Sequence, residues 1–303
     1  MFKNINEFAS AIAEIIKTQG QNFLPNYFEI DDVEVQEITK GNDTKMVGVL
    51  IRKKGSNIAP NVYLEGFYAR YLNGEDMDTL IDDICEVRIK NDTPDINVND
   101  LTNLDKVRDK ITCKVMSKKL NEQYVENKPH KVVEDLVVVY IVNLGENEGG
   151  QMSMPITNGL LDSYGITADE LNKIAMNNLA KSDIEFRSMY DVLKEMAPEG
   201  MEDMLPPDDG TMYVLTNASK YNGASAILDK ATMDGIREKL GADFVIIPSS
   251  IHEVIILKVT QEFMSVEELK STIGEVNTTS LDPKEILSDH PYIYTKKDGL
   301  KAI

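Results

Sequence analysis

The stretch FVIIPSSIHEVIIL, residues 244–257, decides the fold of the second half of the chain. Two runs of valine and isoleucine flank six residues that are rich in turn formers. β-Branched side chains favour strands, whereas serine and proline favour turns. Because Pro248 has no N–H to donate to a ladder, strand pairing should stop there. The stretch therefore predicts two antiparallel strands, Phe244–Ile247 and Glu253–Leu257, joined by the tight connection PSSIHE.

A second polar segment is expected to lie beside this connection. The segment LTNASKYNGASAIL, residues 215–228, follows a predicted strand and contains Asn217, Asn222 and Gly223. Asparagine and glycine at strand ends often adopt positive φ and expose backbone amides. One predicted helix, which ends at Gly241, separates the two segments. If that helix packs on the sheet, both segments lie at the same end of the sheet.

The connection concentrates groups that can carry chemistry, and three interpretations stay open. In the first, His252 is a base, Ser249 or Ser250 is a nucleophile, and Glu253 or a distant acid orients the imidazole near Asn217 and Asn222. A serine–histidine pair needs its side chains within about 3 Å, and residues two apart on a strand do not easily meet that distance. In the second, the segment is a binding site without catalysis, and Asn217, Asn222 and Gly223 are its candidate binding residues. In the third, the serines cap a turn and the histidine binds a loop carbonyl.

Familiar catalytic and cofactor motifs are absent from the sequence. It contains no G-x-x-x-x-G-K-[ST], no G-x-G-x-x-G, no H-E-x-x-H and no G-x-S-x-G. Each of these motifs supplies a backbone or ligand geometry that its chemistry needs. Nucleotide hydrolysis, dinucleotide redox chemistry, zinc proteolysis and α/β-hydrolase chemistry therefore have no motif to support them. We expect no cofactor and no bound metal ion.

One loop partly imitates a calcium site. Asp95, Asn97 and Asn99 fall at ligand positions of the loop, but Asp100 replaces the required glycine and Lys106 replaces the bidentate glutamate. A lysine cannot ligate a cation. We therefore expect a polar loop that caps the next element.

Charge and composition restrict the class of protein and its partners. The chain of 303 residues has a net charge of −19, which repels DNA, RNA and anionic lipid, so we expect neither nucleic acid nor a membrane as partner. The first residues resemble no signal peptide, since Glu7 and Glu14 interrupt the apolar run, and no stretch has the length of a membrane helix. Cys85 and Cys113 lack metal spacing and suit buried thiols in a reducing compartment. These features predict a soluble, acidic, cytoplasmic protein, with a protein partner plausible, and the lysine-rich composition is typical of AT-rich bacteria.

Hairpin-forming strands alternate irregularly with helices along the chain. This order predicts an α+β fold with mixed, largely antiparallel sheets and helices packed on them. We expect an N-terminal α+β domain over 1–130 and a C-terminal α+β domain over 131–303, with a single continuous domain as the alternative. The predicted helices and strands include a hairpin over 33–53, a strand over 132–144, a hairpin from 151, a helix that carries Phe186 and Leu193, a linker over 197–210, and capping boxes at Thr167 and Ser265.

Three segments resemble an uncharacterised bacterial family, a domain of unknown function found in gut Clostridia and related Firmicutes. They are MPITNGLLDSYGITADELNKIAMNNL (154–179), LTNASKYNGASAIL and GADFVIIPSSIHEVIIL (241–257). A Bacillus family, equally uncharacterised, looks distantly similar. The resemblance is specific over about 132–303 and looser before it. It implies no activity, but it marks these motif positions: Asn217, Asn222, Gly223, Pro248, Ser249, Ser250, His252 and Glu253.

Two functions follow as hypotheses. The first is a cytoplasmic bacterial interaction or regulatory protein that acts without a cofactor. The second is a hydrolase-like enzyme that uses His252 with Ser249 or Ser250 near Asn217 and Asn222. The environment of His252 in the folded chain discriminates between them, because an enzyme needs an acid and an oxyanion donor that converge on the imidazole.

Overall fold

The chain forms two compact units in a computed structural model. The structure describes residues 2–56, 58–92, 97–147, 150–198, 200, 205, 207–259 and 265–303. The first unit comprises residues 1–40, 44–107 and 144–153, and the second comprises 41–43, 108–143 and 154–303. Each unit is therefore built from three separate segments of the chain.

The first unit contains a three-stranded antiparallel sheet in the order β1-β2-β3. Its strands are β1 (Ile30–Thr39), β2 (Lys45–Lys53) and β3 (Asn61–Tyr63). The β1–β2 pair is the hairpin that the sequence predicts. The helices of this unit are α1 (Ile5–Gln19), α2 (Glu65–Leu72), α3 (Met77–Lys90), α4 (Val98–Leu101) and α5 (Leu104–Val107).

An apolar stripe on α1 packs against this sheet. Phe8, Ile12 and Ile16 recur at helical spacing and are buried with residues of β1, β2 and α3. Asn4 caps the helix because its side chain accepts the N–H of Glu7 at 2.9 Å. The burial of one helix face against one sheet face gives this unit its own core.

A four-stranded sheet, formed mainly by residues of the second unit, has the strand order β4-β6-β5, and β7 pairs with β6. Its strands are β4 (Ile111–Ser117), β5 (His130–Val133), β6 (Leu136–Asn147) and β7 (Gly150–Pro155). The helices in this part of the chain are α6 (Glu122–Val125), α7 (Asn158–Tyr164) and α8 (Ala168–Leu179). Thr167 and Glu170 form the predicted capping box of α8.

The second unit also has a six-stranded antiparallel sheet in the order β13-β12-β10-β11-β9-β8. Its strands are β8 (Ile184–Ser188), β9 (Met212–Asn217), β10 (Phe244–Pro248), β11 (Val254–Lys258), β12 (Tyr292–Thr295) and β13 (Gly299–Ala302). The helices here are α9 (Met189–Met196), α10 (Lys230–Leu240), α11 (Val266–Thr279) and the 3-10 helices Gly223–Leu228 and Pro283–Glu285. The three sheets confirm the predicted α+β class.

The two faces of the large sheet carry different helices. Side chains alternate between faces along a strand, and Phe244, Ile246 and Ile256 share the buried face. Helix α10 covers this face, where Tyr294 donates to Asp234 at 2.7 Å. Helices α9 and α11 lie on the opposite face, because α9 pairs with Arg187 through Glu195 and α11 packs on β10.

Two predicted elements differ in the structure. The run 132–144 is not one strand, because a turn at Glu134, whose φ is +56°, separates β5 from β6. Phe186 lies in β8 rather than in a helix, where it stacks on Tyr213 with ring centroids 4.7 Å apart. At 132–144 the polar pair Glu134-Asp135 forms a two-residue hairpin turn, whereas at Phe186 the pairing of β8 with β9 overrides the local apolar pattern.

Some predictions concern residues that lie partly outside the described ranges. Asn97 caps α4 by accepting the N–H of Asn99, as expected for a capping loop, whereas Asp95 lies outside the described residues. The same holds for much of the predicted linker 197–210 and for the tip of the β6–β7 hairpin.

Cys85 and Cys113 are buried and unpaired as predicted, and burial raises the pKa of each thiol to about 12. Within the described ranges no helix has the length and apolarity to cross a bilayer.

Candidate functional site

The hairpin predicted from residues 244–257 is present. β10 and β11 pair antiparallel from Phe244 with Lys258 to Pro248 with Val254, so the ladder ends at the proline. The connection that remains, residues 249–253, is buried or half-buried. The predicted tight connection between antiparallel strands is confirmed.

The serines of this connection are used to hold the turn. Ser250 Oγ accepts the backbone N–H of His252 at 3.0 Å, and the backbone N–H of Ser250 donates to the carbonyl of Glu253 at 3.1 Å. Ser249 Oγ donates to Glu253 Oε1 at 3.3 Å. Side chains that bond nearby backbone groups in this way stabilise turns.

The segment Asn217–Gly223 folds around the side chain of Asn217. The amide of this residue accepts the N–H of Tyr221 at 3.2 Å and donates to the Tyr221 carbonyl at 3.0 Å. Lys220 and Asn222 have φ values of +53° and +55°, in the left-handed region. Asparagine tolerates this region better than most residues, whereas lysine at positive φ is uncommon.

The two segments meet, as the sequence predicts. The backbone N–H of Asn222 donates to His252 Nδ1 at 3.1 Å, and Thr216 Oγ1 donates to the His252 carbonyl at 2.8 Å. A Cβ on Gly223 would lie 2.5 Å from that carbonyl oxygen and 2.3 Å from Thr216 Oγ1. The glycine is therefore required because two segments of backbone approach each other closely.

A third segment completes this polar cluster, and no sequence pattern predicts its position there. The backbone N–H of Ile251 donates to the Glu285 carbonyl at 2.9 Å, and Glu285 Oε1 lies 3.8 Å from His252 Nε2. Asn42 Nδ2 donates to the carbonyls of Pro283 and Ile286, both at 2.7 Å. The Asp-Pro-x-Glu pattern predicts the short helix here, but no local signal places it beside His252.

The hydrogen bonds fix the protonation state of His252. A backbone amide can only donate, so Nδ1 must be unprotonated and the neutral ring carries its hydrogen on Nε2. Burial lowers the pKa of His252, and the nearby Glu285 carboxylate offsets part of this effect. At 3.8 Å the Nε2–Glu285 contact is electrostatic rather than a close hydrogen bond. His252 is therefore a neutral, half-buried imidazole.

Tyr221 covers the imidazole. Its ring centroid lies 5.1 Å from that of His252, with the planes inclined at 45°. Burial raises the pKa of Tyr221, and the charge of Glu285 raises it further. We name the set Tyr221, Asn222, His252 and Glu285 the histidine cluster.

Among the described residues, the contacts of His252 differ from those of the histidine in a serine hydrolase. The Nδ1 lone pair accepts a backbone N–H, and Nε2 faces a carboxylate. Within the described contacts, the hydroxyls of Ser249 and Ser250 bond Glu253 and the backbone of His252 rather than the imidazole. Among the described residues no three acidic, cysteine or histidine side chains form a group that could hold a metal ion.

We expect the stability of the chain to depend on pH through His252. The folded-state pKa is lowered, so acidification from about pH 7.5 protonates the unfolded state near its ordinary pKa of about 6.5 before the folded state. The contribution of neutral His252 to the free energy of unfolding is fully present above about pH 6.5 and is lost as the pH falls through the folded-state pKa of His252. His252→Gln should flatten the decline in the free energy of unfolding over this range, measured by urea denaturation.

An unchanged slope in His252→Gln would contradict the assigned protonation state. His130→Gln serves as the control, because His130 is exposed at the start of β5. That substitution should leave the pH dependence as it is in the parent chain.

A second feature was not foreseen from the sequence: an apolar groove on the sheet face that carries α9 and α11. Helix α9 packs on β8 and β9, and α11 packs on β10, so the groove opens over β11 between them. Its volume is about 470 Å³. We name it the β11 groove, and its apolar lining includes Met212, Ile255, Leu257, Leu269, Ile273 and Val276. These residues have the pattern of an ordinary core, so the sequence did not distinguish them.

Comparison with known proteins identifies a family and no further relative. Neither the curated proteins nor the solved structures include a significant match to this chain. A family model matches residues 5–296, which span both units and include the histidine cluster and the β11 groove. The chain therefore belongs to the DUF5688 family, a family of unknown function.

Proposed function

We propose that the chain is a regulatory binding protein that recognises another polypeptide and performs no covalent chemistry at His252. The observation that carries this proposal is that the His252 imidazole connects two segments of the chain by a hydrogen bond. Nδ1 accepts the Asn222 amide, and the neighbouring serine hydroxyls bond the turn itself. A general base needs a free lone pair directed at a nucleophile.

The same proposal places the protein in a bacterial cytoplasm. Two buried, unpaired thiols suit a reducing compartment, and the lysine-rich composition suits an AT-rich bacterial genome. The net charge of −19 opposes binding to nucleic acid or to anionic lipid and favours a basic protein partner.

A display selection tests the binding function without assuming a partner. The full chain is immobilised and challenged with a library of random peptides. We expect enrichment of a family of related sequences that bind the chain in solution with micromolar or better affinity. Selection that yields no sequence family, or only peptides that bind the denatured chain equally well, would refute the proposal.

A covalent probe tests the hydrolase alternative in the same preparation. A fluorophosphonate modifies serines that a histidine activates, and intact-mass measurement detects the adduct. We expect the mass to stay that of the unmodified chain. An adduct at Ser249 or Ser250 that disappears in His252→Gln would replace the binding proposal by the enzyme.

A further inference from the structure

The β11 groove leaves apolar side chains in contact with solvent. Met212 is 36% exposed and Val276 is 41% exposed, and both line the groove. The Cα register pairs Met212 with Leu257, so the two share a sheet face. Exposed apolar patches that line a groove mark binding surfaces more often than isolated surface residues do.

The sheet geometry determines which side chains of β11 line the groove and how a ligand can bind there. Along β11, Val254 and Ile256 face the buried side, and Ile255 and Leu257 therefore face the groove. The groove lies over an interior strand, because β9 and β10 pair with β11 on either side. A ligand cannot add a strand there and must insert side chains instead.

Acidic side chains border the groove. Asp209 lines it, and its pKa is lowered because Thr211 donates to its carboxylate. On α11, Glu268 and Glu275 stand four residues before and three residues after the lining residue Thr272, so they share its side of the helix. Lys258 lines the groove, and Lys270 stands three residues before the lining residue Ile273 on α11. The border defined in this way has three carboxylates and two ammonium groups.

We propose that the β11 groove binds an amphipathic helical segment of a partner protein, with apolar side chains in the groove and lysine or arginine against its acidic border. This inference rests on the proposed binding function and names its surface and partner chemistry. A second copy of the chain is a poor occupant, because two molecules of net charge −19 repel each other. An amphipathic helix offers the apolar stripe and the opposite charge together.

The probe is a synthetic peptide of about 18 residues that places leucine on one helical face and lysine on the other. A scrambled peptide has the same composition without the stripe, and a third peptide replaces each lysine by glutamate. Fluorescence anisotropy measures the affinity of each for the full chain at about 150 mM salt. We expect the patterned basic peptide to bind at least about tenfold more tightly than the other two.

A matched pair of variants locates the binding surface. Val276→Lys introduces a charge into the groove, and Val132→Lys introduces the same charge on β5 at a similar exposure, 44% against 41%. We expect Val276→Lys to weaken binding about tenfold or more, and Val132→Lys to match the parent chain. Met212→Lys provides a second groove variant, and circular dichroism confirms that each variant is folded.

The outcomes separate this inference from the proposed function. Equal binding of the patterned and scrambled peptides, or unchanged binding by both groove variants, would overturn the groove assignment. If the display selection still yields peptides that bind, the binding function stands and its surface lies elsewhere. If the selection yields none and the patterned peptide also fails, both proposals are refuted.

Discussion

Gly223→Ala should destabilise the chain by about 3 kcal/mol or more, because overpacking and a lost hydrogen bond act together. The added Cβ would lie 2.3 Å from Thr216 Oγ1, 2.5 Å from the His252 carbonyl oxygen and 2.8 Å from the Asn217 nitrogen. Two of these atoms belong to backbone that the surrounding sheet holds in place. The Thr216–His252 hydrogen bond and the Asn222–His252 hydrogen bond should both be disrupted. Urea denaturation measures the change.

Gly235→Ala is the matched control for this substitution. Gly235 lies inside α10, and a Cβ there would meet no atom within 4 Å. Alanine favours a helix interior over glycine, so this variant should be stabilised by about 0.5–1 kcal/mol. Equal stability of Gly223→Ala and the parent chain would mean that the two segments do not approach as closely as described.

The second large effect is expected in the first unit, at the buried guanidinium of Arg88. Its side chain is fully buried, and Nε donates to the Ile51 carbonyl at 2.8 Å. Nη1 donates to Asp92 Oδ1 at 2.8 Å, and the guanidinium carbon lies 4.8 Å from the centre of the Phe28 ring. Asp92→Ala leaves this cation buried without its facing carboxylate, so we expect a loss of about 3 kcal/mol in the free energy of unfolding.

A surface pair gives the comparison. Asp83 pairs with Arg70, whose side chain is 40% exposed, and exposed pairs contribute little. Asp83→Ala should therefore cost less than about 1 kcal/mol. Similar losses in the two variants would show that burial does not set the strength of the Arg88–Asp92 interaction.

Local pattern was sufficient to predict the hairpin around Pro248. The β-branched flanks and the missing proline N–H are properties of adjacent residues, and the ladder ends at Pro248. The approach of Asn222 to His252 was also predictable, because a helical crossover between parallel strands brings their carboxyl ends to the same end of the sheet, and β9 and β10 run parallel on either side of β11.

Contacts between distant segments were not predictable in this way. The backbone N–H of Ile251 donates to the carbonyl of Glu285 and so places Glu285 beside His252. Asn42, more than 240 residues earlier in the chain, donates to two carbonyls of the same segment. The spacing of these residues in the sequence does not predict their contact, because the contact depends on how whole helices and strands pack. The strand assignment of Phe186 likewise depends on pairing with β9.

The β11 groove was hidden for a different reason. Ile255 and Ile256 are neighbouring residues of the same type, yet Ile256 is fully buried and Ile255 lines the groove. The sequence shows that both are apolar, and only the positions of α9 and α11 decide which face stays open. Function at such a surface has no motif to reveal it.

If His252 has a structural role and the β11 groove performs recognition, one paired measurement separates the two roles directly. His252→Gln and Val276→Lys are compared in urea denaturation and in binding of the peptides enriched by display. The account predicts that His252→Gln loses stability and, while folded, retains peptide affinity, whereas Val276→Lys keeps stability and loses affinity. A His252→Gln variant that keeps its stability but loses binding would contradict the account and place the functional site at the histidine cluster.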